Sequence, residues 1–402
     1  MTRSETVHRA GPLLPVWNEF IDDLRDLVPQ ILGKLPERLR EDPQTQHEVG
    51  RLVLGALAAR SIDAIGSDPD HPIFLPSLNF VLNVFQPNAD TVYKTASITP
   101  GGSYRLRGRV GSVRIARIGT FAPPSVDGIR AENYYDLNAL KVDSEGNFDV
   151  LLSPSKPESY SGDWWYLDPA ATTVMIRQVA NDWSTERDPV VSIERVDIPP
   201  TRSRPPAADL ERRLQSLSAG VTRTATLLID HVETLREEGF VNKFKIWDVV
   251  SNFGGLTGQF YYECVYELDD EEALIIECDY PEECTYASLI LTNEIFETTD
   301  WYNNHSSLNG AQWQLNSDGK LRVVVSSKDP GVLNWLDTAG YPSGVVQGRW
   351  LESSSTPMPT LRKVAVADVQ DILPTDTAKV TAADREDLIR ERRAQQQQRI
   401  LW

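Results

Sequence analysis

The sequence has few cysteines and lacks any long apolar run. Its 402 residues include three cysteines, Cys264, Cys278 and Cys284, with no CxxC pair among them. An odd number of isolated cysteines favours reduced, structural thiols and therefore predicts a cytoplasmic protein. No segment approaches the ~18 consecutive apolar residues that a membrane-spanning helix needs. The first residues also lack the apolar core of a signal peptide, so we expect no targeting segment.

Motifs that carry several common chemistries are also missing. There is no G-x-x-x-x-G-K-[ST] phosphate loop and no G-x-G-x-x-G dinucleotide fingerprint. HExxH, zinc-finger and EF-hand spacings are absent, as is the G-x-S-x-G elbow of α/β-hydrolases. We therefore expect no cofactor and no histidine-based metal site. A metal site built from Asp and Glu oxygens stays open, because spacing alone does not exclude it.

Basic residues are too few to balance the acidic ones. The chain has 40 Lys and Arg against 58 Asp and Glu, which gives a formal net charge of −18. Long-range repulsion from this charge disfavours nucleic acid and anionic membrane surfaces as partners. A small-molecule substrate is the expected partner, and a homo-oligomer is left open.

The spacing of hydrophobic residues separates segments expected to be helical from segments expected to form strands. Residues 1–77 carry apolar positions at helical spacing, interrupted by prolines. Residues 78–200 and 255–365 contain short alternating runs with turn residues between them, which is typical of β sandwiches. Hairpins are predicted over 104–121 and 140–153. The fold class is therefore predicted as mainly β with helices (α+β), with a C-terminal jelly-roll-like sandwich, a smaller N-terminal β sandwich and a helical support.

Two further segments connect or follow these modules. Residues 201–254 combine a proline-rich linker with one long amphipathic helix, predicted over 207–238. Residues 366–402 form a charged, Gln-rich tail, which we expect to be a solvated helix or to be frayed.

The first candidate for chemistry is QPNADTVY (86–93), where a turn leads into a strand. A carboxylate at this place, Asp90, could act as a general acid or base. The neighbouring Asn88 could bind the substrate. The alternative is an Asx turn in which Asp90 accepts hydrogen bonds from backbone N–H groups.

The second candidate is WYNNHSSLN (301–309), which is dense in hydrogen-bonding side chains. His305 could titrate near neutrality, and Tyr302 could act beside it. Asn309 could orient the substrate. The alternative is a structural loop whose side chains hold its own backbone.

The third candidate is KDPGVLNWLDTAG (328–340), a tight turn that follows a strand. Asp329 could act as a general acid or base beside a pocket that has an aromatic side chain at its base. The alternative is a loop with a conformationally demanding backbone that packs its tryptophan into the core. The expected substrate contacts of this region are Asn334, Trp335, Asp337 and, further along the chain, Arg349.

Parts of these segments resemble known families. DWYNNHSSLNGAQ (300–312) and DPGVLNWLDTAGYPSGVVQGRW (329–350) resemble the C-terminal domain-of-unknown-function family "twelve-fourteen". NVFQPNADTVYKT (83–95) resembles the motif of its partner family, "twelve-fifty-four". The resemblance implies the two sandwiches and the helical part, but little about activity. Relatives often carry His-Arg before Asp-Pro-Gly. Ser327 and Lys328 stand there in this sequence, so a role of that histidine is absent or has passed to another residue.

The polar segments favour a cofactor-independent enzyme that acts on a small terpenoid, steroid or aromatic molecule. General acid/base chemistry would make it a lyase, hydratase or isomerase. This prediction requires Asp90, Tyr302 and Asp329 to surround one enclosed space. Two other classes stay open. One is a jelly-roll protein that binds carbohydrate or another ligand through a tryptophan-rich surface without turnover, and the other is a metal-dependent hydrolase with carboxylate ligands.

Overall fold

Four β-sheets form two sandwiches, and helices pack beside them. The computed structural model describes residues 15–123, 131–249 and 253–401. Within these ranges, each sandwich packs a five-stranded sheet on a four-stranded one. The fold is therefore mainly β with helices, as predicted, and the N-terminal sandwich matches the C-terminal one in strand number.

The N-terminal sandwich has sheet orders β1-β2-β8-β4-β5 and β7-β6-β3-β9. Its strands are β1 (Leu75–Leu78), β2 (Thr91–Ser97), β3 (Tyr104–Arg109), β4 (Ile115–Phe121), β5 (Ala131–Asp136), β6 (Asn147–Ser153), β7 (Asp163–Tyr166), β8 (Thr173–Val179) and β9 (Val190–Arg195). Alternate residues of a strand point to opposite faces. Val174 and Ile176 of β8 accordingly lie in the core between the sheets, whereas Met175 and Arg177 point away from it.

The C-terminal sandwich has sheet orders β10-β11-β17-β13-β14 and β16-β15-β12-β18. Its strands are β10 (Lys245–Ile246), β11 (Gln259–Glu267), β12 (Glu272–Asp279), β13 (Cys284–Leu291), β14 (Ser307–Asn309), β15 (Lys320–Ser326), β16 (Trp335–Asp337), β17 (Ser343–Ser353) and β18 (Thr360–Ala365). Val346 and Trp350 of β17 pack in the core, and Gln347 and Arg349 point to the opposite face. β1 and β10 begin ahead of the predicted boundaries at 78 and 255.

The helices pack against both sandwiches. They are α1 (Pro15–Arg25), α2 (Leu27–Leu32), α3 (Glu37–Arg40), α4 (Pro43–Gly66), α5 (Ala207–Thr226), α6 (His231–Glu237), α7 (Val369–Ile372) and α8 (Ala382–Gln397), with 3₁₀ turns at Leu137–Ala139 and Val366–Asp368. Leu52 of α4 and Val221 of α5 share one apolar core. None of the helices in the described ranges is long and apolar enough to cross a membrane.

The structure corrects three local predictions. The segment 140–153 is not a hairpin, because only its second half forms a strand, β6, which pairs with β3 and β7. The helix predicted over 207–238 is two helices, because residues 227–230 form turns, in which Ile229 and His231 donate to carbonyls three residues back, before α6 begins. Nor does the segment 104–121 form a hairpin. β3 pairs with β6 and β9, whereas β4 pairs with β5 and β8 in the facing sheet. An alternating apolar pattern predicts a strand, but it does not predict the sheet to which that strand belongs.

The charged tail is also not solvated along its length. In α8, Arg385, Arg392 and Gln396 are buried. Arg392 Nε donates to the carbonyl of Trp301 at 2.6 Å, and Gln396 Nε2 donates to the carbonyl of Ala89 at 3.0 Å. Burial of these polar groups is tolerated because each donor has a protein acceptor. The tail therefore joins the C-terminal sandwich to the N-terminal one.

Candidate functional site

A cavity of about 810 Å³ lies between the two five-stranded sheets. β2, β4 and β8 supply one wall, and β11, β13 and β17 supply the other. Helices α4 and α5 close one side with residues such as Arg60 and Leu217. Strands from both sandwiches thus present their outer faces to one space, which is a common setting for a small-molecule site.

The wall combines aromatic, amide and cationic groups. Its apolar part includes Phe85, Phe121, Met175, Trp247, Leu256 and Leu351. Its polar part includes Gln86, Asn88, Tyr93, Arg177, Gln259, Tyr261, Tyr286, Gln347 and Arg349. A largely apolar wall with a few convergent polar groups is the usual composition of a ligand pocket.

Behind this wall, Asp90 is the centre of a hydrogen-bond network that joins the sandwiches. It is 2% exposed. Oδ1 accepts from Trp183 Nε1 at 2.8 Å and from Asn309 Nδ2 at 2.6 Å. Oδ2 accepts from the Tyr286 hydroxyl at 2.6 Å. All three donors are side chains, so Asp90 does not form the Asx turn of the alternative interpretation.

Asn88 connects this network to the cavity. Its Nδ2 donates to the Tyr286 hydroxyl at 2.8 Å and to Thr91 Oγ1 at 3.1 Å. Both Asn88 and Tyr286 line the cavity, whereas Asp90 lies one hydrogen bond behind Tyr286. Asp90 can therefore influence a bound molecule through the phenol.

The chain that leads into this network is strained at the cavity wall. Phe85 and Gln86 both have φ of +57°, in the left-handed region that non-glycine residues rarely adopt. Thr298 Oγ1 donates to the carbonyl of Pro87 at 2.8 Å, which fixes the turn from the C-terminal sandwich. Such strain persists only where the surroundings hold it, and it clusters at functional sites.

Burial raises the pKa values of both Asp90 and Tyr286. It raises the pKa of Asp90, and the hydrogen bonds from Tyr286, Asn309 and Trp183 only partly oppose that rise. Burial also raises the pKa of Tyr286 well above its usual value, and the adjacent Asp90 adds to the effect. A carboxyl with a raised pKa is a better proton acceptor, and Tyr286 is a neutral phenol at physiological pH.

Two arginines face the cavity from opposite sheets. Arg177 Nη1 donates to the Tyr134 hydroxyl at 2.6 Å, and its Nη2 donates to the carbonyl of Gly254 at 3.0 Å. Arg349 is 4% exposed, and its guanidinium lies 5.1 Å from the centre of the Tyr261 ring. Burial acts to lower the pKa of Arg349, but the groups around it raise it overall. Both side chains are therefore charged at neutral pH.

Tyr302 and His305 lie outside the cavity lining. Tyr302 packs on Phe80, with ring centroids 4.6 Å apart, in the core of the N-terminal sandwich. His305 Nδ1 bonds to the carbonyl of Trp335. Burial, with Arg392 and Arg385 nearby, lowers the pKa of His305 to about 3. His305 is therefore neutral at physiological pH, contrary to the prediction that it titrates near neutrality.

The third predicted segment holds its own loop and anchors the tail. Asp329 Oδ2 pairs with Arg385 Nε at 2.8 Å. Asn334 accepts from the Gln314 N–H and donates to two backbone carbonyls. Asp337 accepts from the Ala339 N–H, and burial raises its pKa. Trp335 is in an apolar core. The structure thus shows the loop that packs its tryptophan inward.

The predicted residues therefore separate into groups. The structure brings together Asp90, Asn88 and Asn309, and Arg349 lines the same cavity as Asn88. It does not bring Tyr302 or Asp329 to Asp90, so the three do not share one enclosed space. Tyr302, His305, Asp329, Asn334, Trp335 and Asp337 have structural contacts away from the cavity.

Sequence reasoning missed Tyr286, Trp183, Arg177 and Gln347. Two of these residues could have been recognised in the sequence. Arg177 and Gln347 are polar residues within the apolar segments TTVMIRQV and GVVQGRW, which are typical of strands. A polar side chain at such a position must find a partner or face a cavity. Tyr286 and Trp183 gave no signal, because aromatic residues are common in strands and cores.

In the described part of the chain, no group of three or more His, Cys, Asp or Glu side chains is arranged to hold a metal ion.

Comparison with known proteins finds solved structures whose names state no activity. No family model matches the chain, and no curated protein matches it. The crystal structure of an uncharacterised protein from Burkholderia cenocepacia is similar, with 26% sequence identity and a TM-score of 0.80 over 88% of this chain and 97% of that one. The VPA0106 protein from Vibrio parahaemolyticus has 10% identity and a TM-score of 0.43 over 79% of this chain and 98% of its own.

The Burkholderia likeness supports the fold over nearly the whole of both chains. The resemblance to the "twelve-fourteen" and "twelve-fifty-four" families remains a prediction, since no family model tests it.

Proposed function

We propose that this protein is an enzyme that moves a proton on a small molecule bound between the two sandwiches. The observation that carries this proposal is the Tyr286 phenol, which lines the cavity and donates a 2.6 Å hydrogen bond to the buried Asp90. A group that touches the bound molecule is thereby coupled to a base. The reaction class is elimination, hydration or isomerisation, and the substrate body is terpenoid, steroid or aromatic.

The proton path follows from the direction of the hydrogen bonds. As the Tyr286 oxygen takes a proton from a substrate carbon, its own proton passes to Oδ2 of Asp90. Return of that proton by the same route to another substrate atom completes an isomerisation or assists a leaving group. The raised pKa of Asp90 favours the transfer, and Asn88, which donates to the same phenol oxygen, holds Tyr286 in place.

The cavity wall supports the reaction by stabilising charge. Removal of a proton from carbon leaves negative charge on the substrate. The guanidinium groups of Arg177 and Arg349 line the same cavity and would attract that charge. Fixed donors in a water-poor site are the largest single contribution in many enzymes.

Deuterium exchange tests this proposal even where the product has not been identified. The protein is incubated in D2O with terpenoid, steroid and aromatic compounds that bear an acidic C–H, and mass spectrometry follows deuterium uptake. We expect uptake by at least one compound class with the wild-type protein. Tyr286→Phe should slow it at least 100-fold, within the ~10²–10⁴-fold range typical of acid/base catalysis.

The control is Tyr135→Phe, which also removes one phenol hydrogen bond, that of Tyr135 to the Tyr166 carbonyl away from the cavity. This variant should exchange like the wild type. The proposal fails if Tyr286→Phe retains wild-type exchange, or if no compound class exchanges.

The alternative is a protein that binds its ligand in the same cavity without turnover. Asp90 and its three donors also hold the two sandwiches together, which favours this alternative. A tight-binding ligand that shows no exchange in D2O would support it. Trp301 and Trp335 are buried and supply no platform for a carbohydrate ring, whereas in β7 Trp164 and Trp165 are partly buried and Tyr166 is exposed.

A further inference from the structure

We infer that the substrate carries a carboxylate, which Arg349 and Gln347 hold in the cavity. The inference rests on the proposed function only in treating the bound anion as the substrate. It begins from two buried donor atoms: among the described residues, neither Arg349 Nε nor Gln347 Nε2 has a hydrogen-bond partner. Both side chains line the cavity. Buried donors without a partner are costly, and natural proteins retain them where a ligand completes the bonding.

Strand geometry places the two donors side by side. Gln347 and Arg349 are alternate residues of β17, so they point to the same face of the sheet. Arg349 Nη2 donates to Gln347 Oε1 at 2.7 Å, which fixes the orientation of the amide and leaves Nε2 as the free end. The pair thus places two N–H groups without a described partner and one positive charge in the cavity wall.

Other cavity groups strengthen this preference for an anion. The described lining has five arginines, Arg60, Arg177, Arg213, Arg223 and Arg349, against one carboxylate, Asp63. The chain as a whole has a net charge of −18. A local excess of positive charge in a cleft attracts anions, even when the rest of the surface repels them. Gln86 Nε2, on the strained turn of the cavity lining, is a further buried donor without a described partner.

The shape of the donor set favours a carboxylate with an apolar body. A guanidinium edge beside an amide N–H matches the two oxygens of a planar carboxylate. The remaining wall, which includes Phe121, Leu256 and Leu351, is apolar and would contact a hydrocarbon or ring system. A carboxylate held there has Tyr286 in the same wall, so proton removal would occur on the carbon body of the bound acid.

Binding measurements test this inference independently of turnover. Isothermal titration calorimetry compares 4-phenylbutyrate with its neutral amide, 4-phenylbutyramide, and with 4-phenylbutyl phosphate. We expect the wild-type protein to bind the carboxylate at least tenfold more tightly than the amide, and more tightly than the phosphate. Arg349→Met and Gln347→Glu should each abolish the preference over the amide, the first by removing the charge and the second by neutralising it.

The matched control is Arg322→Met, which removes a guanidinium that pairs with Glu277 and Asp318 outside the cavity. This control should keep the tenfold preference. Circular dichroism verifies that each variant is folded, and two cavity variants are used so that one misfolded protein does not decide the result.

Three results would overturn the inference. They are equal binding of carboxylate and amide by the wild type, retention of the preference in a folded cavity variant, and tighter binding of the phosphate. Failure of the proposed function has a different signature, because carboxylate binding would then persist without deuterium exchange.

Discussion

Asp90 and Tyr286 are 196 residues apart in the chain, yet the Tyr286 hydroxyl lies 2.6 Å from Oδ2 of Asp90. The bond crosses from one sandwich to the other at the wall of the cavity. It therefore makes the packing of the two sandwiches and the chemistry of the cavity depend on the same atoms. Substitutions at Asp90 separate these two roles.

Asp90→Asn should keep the fold and lose proton transfer. The amide oxygen can still accept from Trp183 and Asn309, and the amide N–H₂ can bond to the Tyr286 oxygen. We expect the free energy of unfolding to change by about 1 kcal/mol, whereas deuterium exchange falls at least 100-fold. Asp90→Ala leaves three buried donors without an acceptor and should cost about 3 kcal/mol or more.

Urea unfolding and deuterium exchange, measured on both variants, check this prediction. Equal stability of Asp90→Asn and Asp90→Ala would mean that the network does not hold the sandwiches together.

Stability should fall at acidic pH through His305. The folded protein holds the pKa of His305 at about 3, below the ordinary value of 6.5, because the ring is buried beside Arg392 and Arg385. The unfolded chain therefore binds a proton below pH 6.5 that the folded protein does not. The stability from this group is complete above pH 6.5 and is lost as pH falls toward 3, by about 1.4 kcal/mol per pH unit.

The difference between the wild type and His305→Asn isolates this contribution. The asparagine amide can replace Nδ1 as donor to the Trp335 carbonyl but does not titrate. Urea unfolding at pH 7, 6 and 5 should show the wild type losing stability relative to the variant. Parallel curves for the two proteins would assign the acid sensitivity to other groups.

The tail should contribute strongly to stability through Arg399. Its guanidinium pairs with Asp188 at 2.6 Å, and each side chain is only 7% exposed. It also donates to the carbonyl of Asp90 at 2.6 Å. Because Arg399→Met removes the guanidinium partner of a buried carboxylate, we expect a loss of about 3–5 kcal/mol.

Arg390→Met is the matched control in the same tail, since Arg390 pairs with Glu386 at the surface. It should change the free energy of unfolding by less than about 1 kcal/mol. Equal effects of the two substitutions in urea unfolding would show that the tail does not dock as described.

The sequence predicted the positions of the strands and the fold class better than it predicted which strands pair with each other. β8 and β17 coincide closely with the apolar runs TTVMIRQV and GVVQGRW, because alternation within a strand is a local property. The pairing of β3 with β9 is not local, and nothing in residues 104–109 identifies it. The tail was mispredicted for a related reason. Charged side chains predict a solvent-exposed helix, and the distant carbonyl groups that accept hydrogen bonds from the buried ones cannot be identified from the sequence.

The same reasoning explains the partial success at the site. Asp90, Asn88 and Asn309 were found because polar residues near turns are conspicuous in sequence. Tyr286 was missed because its role depends on a partner 196 residues away. His305 was misjudged, since its pKa depends on burial and on two tail arginines rather than on its neighbours in sequence.

Gly348 should be required for the position of the carboxylate-binding pair. It lies between Gln347 and Arg349, and a Cβ there would come 2.1 Å from Cζ of Tyr262. Gly348→Ala should therefore destabilise the protein by about 1–3 kcal/mol and weaken 4-phenylbutyrate binding, measured by urea unfolding and calorimetry.

Gly50→Ala is the control, because Gly50 is inside α4 with nothing within 4 Å of the added methyl group. It should stabilise the protein by roughly 0.5–1 kcal/mol. Tolerance of alanine at position 348 would show that the strand can shift there without loss.

A double-mutant cycle on deuterium exchange tests most directly whether Tyr286 and Asp90 act as one unit. Exchange rates are measured for the wild type, Tyr286→Phe, Asp90→Asn and the double variant. If the two residues form one relay, the double variant should be no slower than the slower single variant, because either change already breaks the path. Losses that multiply in the double variant, or a single variant that exchanges at the wild-type rate, would contradict the relay.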